Sequence, residues 1–207
     1  INLDLPESFE PTSGAELDRT IGTEFIDAII HLLRAHPQAV YLATGEGELS
    51  WQKRRFESAG VGKRVGYTGK RKDLPGFLRI ADVYLAEFPI AGTTGVLHAM
   101  SMERPVVAMQ WSDAPEHAAA ARLVGEESAI GGRDANAFIE RVSKLIREPA
   151  YRAKLGKSMR TRVEQQFAFN QTARQIESWC AELLGRTEAT AGSDAPANAA
   201  KPTAFAA

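Results

Sequence analysis

Hydrophobic positions along the chain switch between a helical period and short continuous runs. Large apolar side chains recur three or four residues apart from Phe25 to Leu33. This spacing predicts an amphipathic helix that follows a Thr23 cap and ends before Pro37. The nearly unbroken apolar run over residues 39–44, closed by glycines, predicts a strand buried on both faces of a parallel sheet.

The same alternation continues through most of the chain. Strands are predicted over residues 64–68, 83–88 and 105–109, and helices over residues 51–59, 74–80, 94–102, 116–124, 135–147, 149–167 and 171–184. Asp73, Asp134 and Asn170 stand where N-caps of three of these helices belong. Because helix and strand alternate with short connections, the sequence predicts an α/β domain with a doubly wound, Rossmann-like parallel sheet and a helical C-terminal extension.

Both ends of the chain depart from this pattern. Apolar and polar residues alternate from Ile1 to Leu5, as in a short strand, and prolines interrupt the pattern soon afterwards. Residues 1–22 are therefore interpreted as an N-terminal lead-in, with a first strand as one alternative. Residues 185–207 are rich in Ala, Pro, Thr and Ser and are predicted to be a disordered tail. The predicted domain spans residues 23–184.

Composition excludes several classes of function. The 207 residues carry 25 Lys and Arg against 26 Asp and Glu, a net charge of −1, which argues against nucleic acid or an anionic membrane as a partner. The lone Cys180 can form neither an intramolecular disulfide nor a thiolate metal site, which favours a reducing, cytoplasmic location. No apolar run reaches the roughly 18 residues of a membrane span. Since the chain opens on Ile1 and not Met, we expect it to be part of a longer polypeptide.

The loop after the strand predicted at residues 83–88 carries the most pointed chemistry. In an open parallel sheet, ligands bind beyond the carboxyl ends of the strands. Here Gly92, Thr93, Thr94 and Gly95 lead directly into a helix. The glycines allow close approach of a ligand, the first helical N–H groups carry partial positive charge, and the hydroxyls can donate to phosphate oxygens. The segment predicts an anion site that needs no metal; the alternative is that a threonine is only the N-cap.

Two other strand-to-helix loops remain ambiguous. Lys70, Arg71 and Lys72 place three consecutive cations after the strand predicted at residues 64–68, which suits a phosphate ligand or a solvated turn equally. The loop over residues 45–50 has two glycines at the spacing of a dinucleotide fingerprint but a serine where the third belongs. A plain tight turn is the favoured interpretation there.

Further candidates lie at the same predicted edge. Trp111 and Asp113 follow the strand predicted at residues 105–109, where Trp111 contacts a sugar or only covers the sheet. His98 lies one turn into the helix after the threonine pair, as a ligand contact or as a partly buried helix residue. The chain has neither a phosphate loop of the Gly-x-x-x-x-Gly-Lys-Ser/Thr type nor a Gly-x-Ser-x-Gly nucleophile elbow.

Together these motifs resemble a known family. Spaced segments follow the order found in the donor-binding, C-terminal half of GT-B fold glycosyltransferases of group 1, namely residues 80–85, 92–95, 97–100, 105–108, 131–134, 145–156 and 167–170. The resemblance covers about residues 23–184. Within the superfamily, Phe-Pro-Ile-Ala-Gly-Thr-Thr over residues 88–94 looks closest to the peptide O-GlcNAc transferase pattern.

The resemblance implies roles for individual residues. Thr93 and Thr94 match a threonine pair that binds the nucleotide diphosphate. His98 stands where the family has an acidic residue that holds the ribose, and Ile90 stands where the Glu-x7-Glu motif has its first glutamate. A neutral imidazole can hydrogen-bond ribose hydroxyls, but it cannot accept from both as a carboxylate does.

The remainder of the implied donor-binding set comes from the neighbouring segments. Lys70, Arg71 and Leu74 occupy a loop that usually lies near the base, and Gly92 and Gly95 flank the threonine pair. No catalytic residue is assigned by the resemblance, and neither a metal nor a cofactor is expected.

The resemblance also implies an activity: transfer of a sugar from a nucleotide-sugar, with UDP as the expected nucleotide, to a hydroxyl of a protein, lipid or glycan. Departure of the nucleoside diphosphate would be aided by the helix start and nearby cations. The acceptor domain and the general base would precede Ile1, so this chain alone is expected to be catalytically incomplete. The alternatives are a nucleotide-sugar epimerase-like domain, with Glu87 as the candidate carboxylate, and a non-catalytic α/β interaction domain. A response-regulator receiver fits poorly, because no acidic cluster ends an early strand.

Overall fold

The computed structural model describes residues 2–4, 15–44, 50–69, 73–126 and 128–183, with the backbone alone for residues 2–4, 15–21 and 74. Within these residues five strands form one parallel sheet: β1 (Asn2–Asp4), β2 (Tyr41–Thr44), β3 (Val65–Tyr67), β4 (Tyr84–Leu85) and β5 (Val106–Val107). Their spatial order is β3-β2-β1-β4-β5. The order reverses between β1 and β4, which is the doubly wound arrangement that the sequence predicts.

Helices connect and cover the strands. They are α1 (Ala15–Ala35), α2 (Ser50–Ser58), α3 (Leu74–Ile80), α4 (Thr93–Ser101), α5 (Pro115–Val124), α6 (Ala135–Arg147), α7 (Pro149–Arg162) and α8 (Phe169–Leu183), with a 3-10 turn at Gly62–Arg64 and a π-helical turn at Val163–Phe167. A parallel bridge between Met109 and Ile130 extends the sheet beyond β5. The chain divides into two compact units, residues 1–167 and residues 168–207, and α8 belongs to the second.

The sheet is buried on both faces. Alternate residues of β4 and β5 point into different clusters: Leu85 and Val107 join the core built on α1, α2 and α6, whereas Tyr84 and Val106 join the core built on α3, α4, α5 and α7. All four side chains are buried. Burial on two faces explains why these strands read as continuous apolar runs and not as alternating ones.

Two predicted caps are confirmed. The carboxylate of Asp73 accepts a hydrogen bond from the Gly76 N–H at 3.0 Å, and that of Asp134 accepts one from the Ala137 N–H at 2.9 Å. A short polar side chain at this position satisfies one of the free N–H groups of the first turn. The sequence therefore predicts the starts of α3 and α6 correctly.

Other predicted boundaries are wrong. α1 begins at Ala15, so Thr23 lies inside the helix and is not its cap. β4 covers two residues and not residues 83–88, because the chain leaves the sheet after Ala86, whose N–H still donates to the Val107 carbonyl at 3.0 Å. α8 begins at Phe169, which makes Asn170 its second residue.

Residues 1–22 contribute β1, which lies between β2 and β4 in the sheet. The division of the chain at residues 22 and 184 stays a prediction, and the tail at 185–207 lies outside the described residues. Among the helices that are described, none has both the length and the apolar character needed to cross a membrane.

Candidate functional site

The strand order places the candidate site at the carboxyl ends of β1 and β4. In doubly wound sheets, a ligand crevice opens where neighbouring strands send their connections to opposite faces. From β4 the chain passes through Phe88 and Pro89, joined by a cis peptide bond, to the start of α4. The first turn of α4 therefore lies at this edge of the sheet.

Backbone N–H groups without an acceptor inside the helix lie at the start of α4. Gly92 is the N-cap, with φ −67° and ψ 109°, and no side-chain cap bond is made there. The Val96 N–H donates to the Gly92 carbonyl at 3.3 Å. The N–H groups of Thr93, Thr94 and Gly95 precede that bond and have no acceptor within the helix. Because these N–H groups carry the positive end of the helix dipole, the first turn favours an anion.

The threonine pair does not cap the helix, so the alternative of a plain N-cap is wrong. Thr93 and Thr94 are helical residues with exposed side chains, and Gly95 behind them is buried. Thr94 and His98 are four residues apart and share a helix face. His98 is also exposed, so it is not the partly buried helix residue of the alternative interpretation.

The structure describes only part of the segment around the predicted cations, Lys70, Arg71 and Lys72. Lys70 and Arg71 lie outside the described residues, as does the loop at 45–49. Leu74 is the first residue of α3, directly after the Asp73 cap, and its side chain is not described. Assignment of Lys70, Arg71 and Leu74 to the donor site therefore stays a prediction.

An aromatic wall borders the exit of β4. The ring of Phe88 stacks on Trp111, with centroids 5.4 Å apart and planes 18° apart. Phe88 also meets Phe25 and Phe138 edge-on, with centroids at 5.1 Å and 5.2 Å. Trp111 therefore covers the sheet through Phe88, one of the two roles that the sequence leaves open, and any sugar contact stays a prediction.

Arg133 lies over the same tryptophan. Its guanidinium carbon is 4.2 Å from the Trp111 ring centroid, and its Nη2 pairs with the carboxylate of Glu24 in α1. In the sequence Arg133 stands out only as part of the motif at residues 131–134, and nothing distinguishes Glu24. The two residues are 109 positions apart, and no local pattern links an arginine after two glycines to a glutamate inside α1.

The loop that follows Trp111 is closed by its own hydrogen bonds. The Gln110 amide donates to the Asp113 carboxylate at 3.1 Å, and the Ser112 hydroxyl lies 2.7 Å from Nδ1 of His117. The Trp111 N–H donates to the His117 carbonyl at 3.3 Å. These bonds fix the loop that carries the indole, and the stack on Phe88 packs against one face of the ring.

Glu87 is half-buried, two residues after the end of β4. Burial first, and then the Glu87 carboxylate, raise the pKa of Tyr41 well above its ordinary value. The Tyr41 hydroxyl has no hydrogen-bond partner among the described residues. Within the same residues no group of three or more His, Cys, Asp or Glu is arranged to hold a metal.

Cavities of the first unit also occur away from this edge. One of about 450 Å³ lies at the amino edge of the sheet and is lined by Val40, Ile80 and Arg152. Others of about 480 Å³ and about 830 Å³ lie along α1, against α2 and against α6. The candidate site is thus assigned from the sheet topology and the free N–H groups and not from cavity volume.

Comparison with known proteins decides the family. The model of the family described as Glycosyl transferases group 1 matches residues 22–148. This chain belongs to that family. A comparison with curated proteins gives no match.

Solved structures share the fold of this group 1 glycosyltransferase chain. The TarM protein of S. aureus, solved with fondaparinux, α-GlcNAc-glycerol and UDP, is 14% identical with a TM-score of 0.65 over 86% of this chain and 34% of its own. The O-GlcNAc transferase of Thermobaculum terrenum is 22% identical with a TM-score of 0.62, over 79% of this chain and 33% of its own. The C-terminal domain of a group 1 glycosyl transferase from Francisella tularensis is 17% identical with a TM-score of 0.61, over 81% of this chain and 86% of that domain.

These matches confirm the predicted fold, one half of a GT-B glycosyltransferase. The chain spans about a third of the length of the TarM and O-GlcNAc transferase chains. It covers most of the solved C-terminal domain. Its architecture is therefore that of the C-terminal GT-B half.

Proposed function

We propose that this chain binds the nucleotide-sugar donor of a glycosyltransferase that moves a sugar onto a hydroxyl acceptor. The observation that carries the proposal is the uncapped start of α4, at the point where the strand order reverses. Membership of the group 1 family and the UDP bound to TarM support a UDP-sugar as the donor class.

The diphosphate would lie against the first turn of α4. The N–H groups of Thr93, Thr94 and Gly95 donate to its oxygens, and the two exposed hydroxyls add further donors. Negative charge grows on the leaving nucleoside diphosphate as the sugar bond breaks. Fixed dipoles aimed at that charge lower the barrier without having to reorganise during the reaction.

The ribose would lie one turn further along the helix. His98 shares an exposed face with Thr94, and its imidazole can hydrogen-bond one ribose hydroxyl. Lys70 and Arg71 are proposed neighbours of the base or of the phosphates. In this proposal the positive charge beside the diphosphate comes from the helix start and from cationic side chains and not from a metal ion. Adding a chelator therefore leaves donor binding unchanged.

Transfer itself would need a second domain. The proposal assigns the acceptor site and the general base to an N-terminal GT-B domain of the full-length enzyme, with this chain inactive on its own. The acceptor is a hydroxyl of a protein, a lipid or a glycan. The proposed location is the cytoplasm.

Nucleotide titration tests the proposal. We expect UDP or a UDP-sugar to bind saturably, with and without EDTA. A Thr93→Val, Thr94→Val double variant should bind about a hundredfold or more weakly, since two lost hydrogen bonds to a charged group cost about 3 kcal/mol or more together. Thr161→Val, an exposed position on α7, is the matched control and should bind as the wild type does. If no uridine or guanosine nucleotide binds, the proposal fails and the non-catalytic interaction domain is the better interpretation.

A further inference from the structure

We infer that Arg133 is a second donor-binding cation, which reaches the diphosphate from the side of the crevice opposite α4. The inference rests on the proposed function, since it assumes a nucleoside diphosphate at the start of α4. It concerns a residue that the family motifs do not assign to the donor.

The position of Arg133 comes from the edge of the sheet. Ile130 pairs with Met109 beyond β5, and Gly132, with φ 66°, turns the chain before the Asp134 cap of α6. A positive φ of this kind is reached readily by glycine. The turn places Arg133 at the carboxyl side of the sheet, where the strand exits meet.

The packing shows on which side of the crevice Arg133 lies. It lies over Trp111, which stacks on Phe88, and Phe88 belongs to the core built on α1 and α6. Val96 of α4 belongs to the core on the other face of the sheet. The chain that leaves β4 therefore runs between the N–H groups of the first turn of α4 on one side and the Arg133 guanidinium on the other.

The side chain is held but not buried. One face of the guanidinium lies on the indole of Trp111 at 4.2 Å, and one nitrogen pairs with Glu24. The side chain of Arg133 is still 57% exposed and that of Glu24 38% exposed. A guanidinium has five N–H donors in a planar fork, so donors remain for a phosphate while the stacking contact is kept.

Arginine suits this position chemically. Its fork matches two phosphate oxygens at once, and its delocalised charge stacks on an aromatic face more readily than an ammonium does. The charge on a nucleoside diphosphate rises as the sugar departs, so a cation fixed beside it stabilises the leaving group. The Glu24 carboxylate would then keep the Arg133 guanidinium extended until the diphosphate replaces it as the partner of the guanidinium.

A set of variants separates this role from a structural one. Arg133→Gln should weaken UDP and pyrophosphate binding about tenfold or more, because at least one charge-assisted hydrogen bond is lost. It should leave uridine binding, which lacks phosphate, within about twofold of the wild type. Arg55→Gln is the matched control, because Arg55 also pairs with an α1 carboxylate, that of Asp27, but does so between α1 and α2.

Glu24→Gln gives the decisive contrast. If the ion pair only supported the fold, Glu24→Gln and Arg133→Gln would lose affinity together. We expect instead that Glu24→Gln binds pyrophosphate at least as tightly as the wild type, because the guanidinium is released. A folded Arg133→Gln variant that binds UDP as the wild type does overturns the inference and leaves the proposed function standing. Failure of the wild type to bind UDP overturns both.

Discussion

Gly156 in α7 lies directly against the backbone carbonyl of Glu103, in the turn that follows α4. A Cβ at position 156 would stand 2.9 Å from the carbonyl carbon of Glu103 and 3.5 Å from Cδ of Pro105. Glu103 is itself a non-glycine residue at φ 59°. Because both neighbours belong to the stretch between α4 and β5, α7 fixes the far end of the helix whose start forms the candidate site.

This contact predicts how Gly156→Ala, which adds one methyl group, changes the free energy of unfolding. In an open helix Gly→Ala stabilises by about 1 kcal/mol, but here the added carbon has no room and the variant should lose about 1–3 kcal/mol. Urea denaturation measures the change. Gly131→Ala is the control, since nothing lies within 4 Å of its Cβ. Equal stability of Gly156→Ala and the wild type would contradict the close approach.

His36 predicts a loss of stability in mild acid. Burial, with help from Arg147 and His31, lowers the pKa of His36 below its ordinary value of 6.5, and its Nε2 lies 2.9 Å from the Ser143 hydroxyl. Because the folded state holds the neutral imidazole, the unfolded chain binds the proton more readily. The stability that His36 contributes is therefore complete above pH 6.5 and is lost as the pH falls.

Denaturation at several pH values checks this. Between about pH 7.5 and about pH 5.5 the free energy of unfolding should fall, and His36→Asn should flatten part of that fall. An unaltered slope in His36→Asn would show that the acid sensitivity comes from other groups.

Tyr67 predicts the opposite dependence in alkali. Burial first, and then the charge of Glu57, raise the pKa of Tyr67 from 10.0 to about 12. The folded state keeps the phenol protonated, so its contribution is present below pH 10.0 and is lost as the pH rises through about 12. Tyr67→Phe should flatten the fall in stability over that interval.

At neutral pH, Tyr67→Phe should cost little. The Tyr67 hydroxyl is buried without a hydrogen-bond partner among the described residues, and removing such a group is close to neutral. Tyr151→Phe is the comparison variant for stability at neutral pH and in alkali. The Tyr151 ring lies under the Lys144 ammonium, 4.5 Å from the ring centroid. A neutral-pH loss above about 2 kcal/mol for Tyr67→Phe would mean that the hydroxyl has a partner.

Local patterns predict much of this fold. Asp73 and Asp134 are identified as caps because a helix start needs a side-chain acceptor within three residues, and that requirement is visible in sequence. Strand length is not visible in the sequence. β4 has two residues although its apolar run is longer, because Phe88 is buried against Phe25 of α1 and Phe138 of α6 and not against a neighbouring strand.

The candidate site likewise has one part that the sequence predicts and one part that it does not. The glycine and threonine loop is found from sequence because strand, turn and helix are contiguous there. The contact of Arg133 with Glu24 and Trp111 depends on how α1, α6 and the end of β5 pack, and residues 109 positions apart carry no shared local signal. Thr23 is misassigned as a cap because the apolar period begins after the helix does.

The most direct test of the central claim is an amide chemical-shift titration of the chain with UDP. We expect the N–H signals of Thr93, Thr94 and Gly95 to move most, in step with the saturation of binding, because the diphosphate accepts their hydrogen bonds. The Thr93→Val, Thr94→Val variant should need at least about a hundredfold more UDP for the same change. UDP that binds while these three signals stay fixed, or UDP that does not bind, would contradict the account.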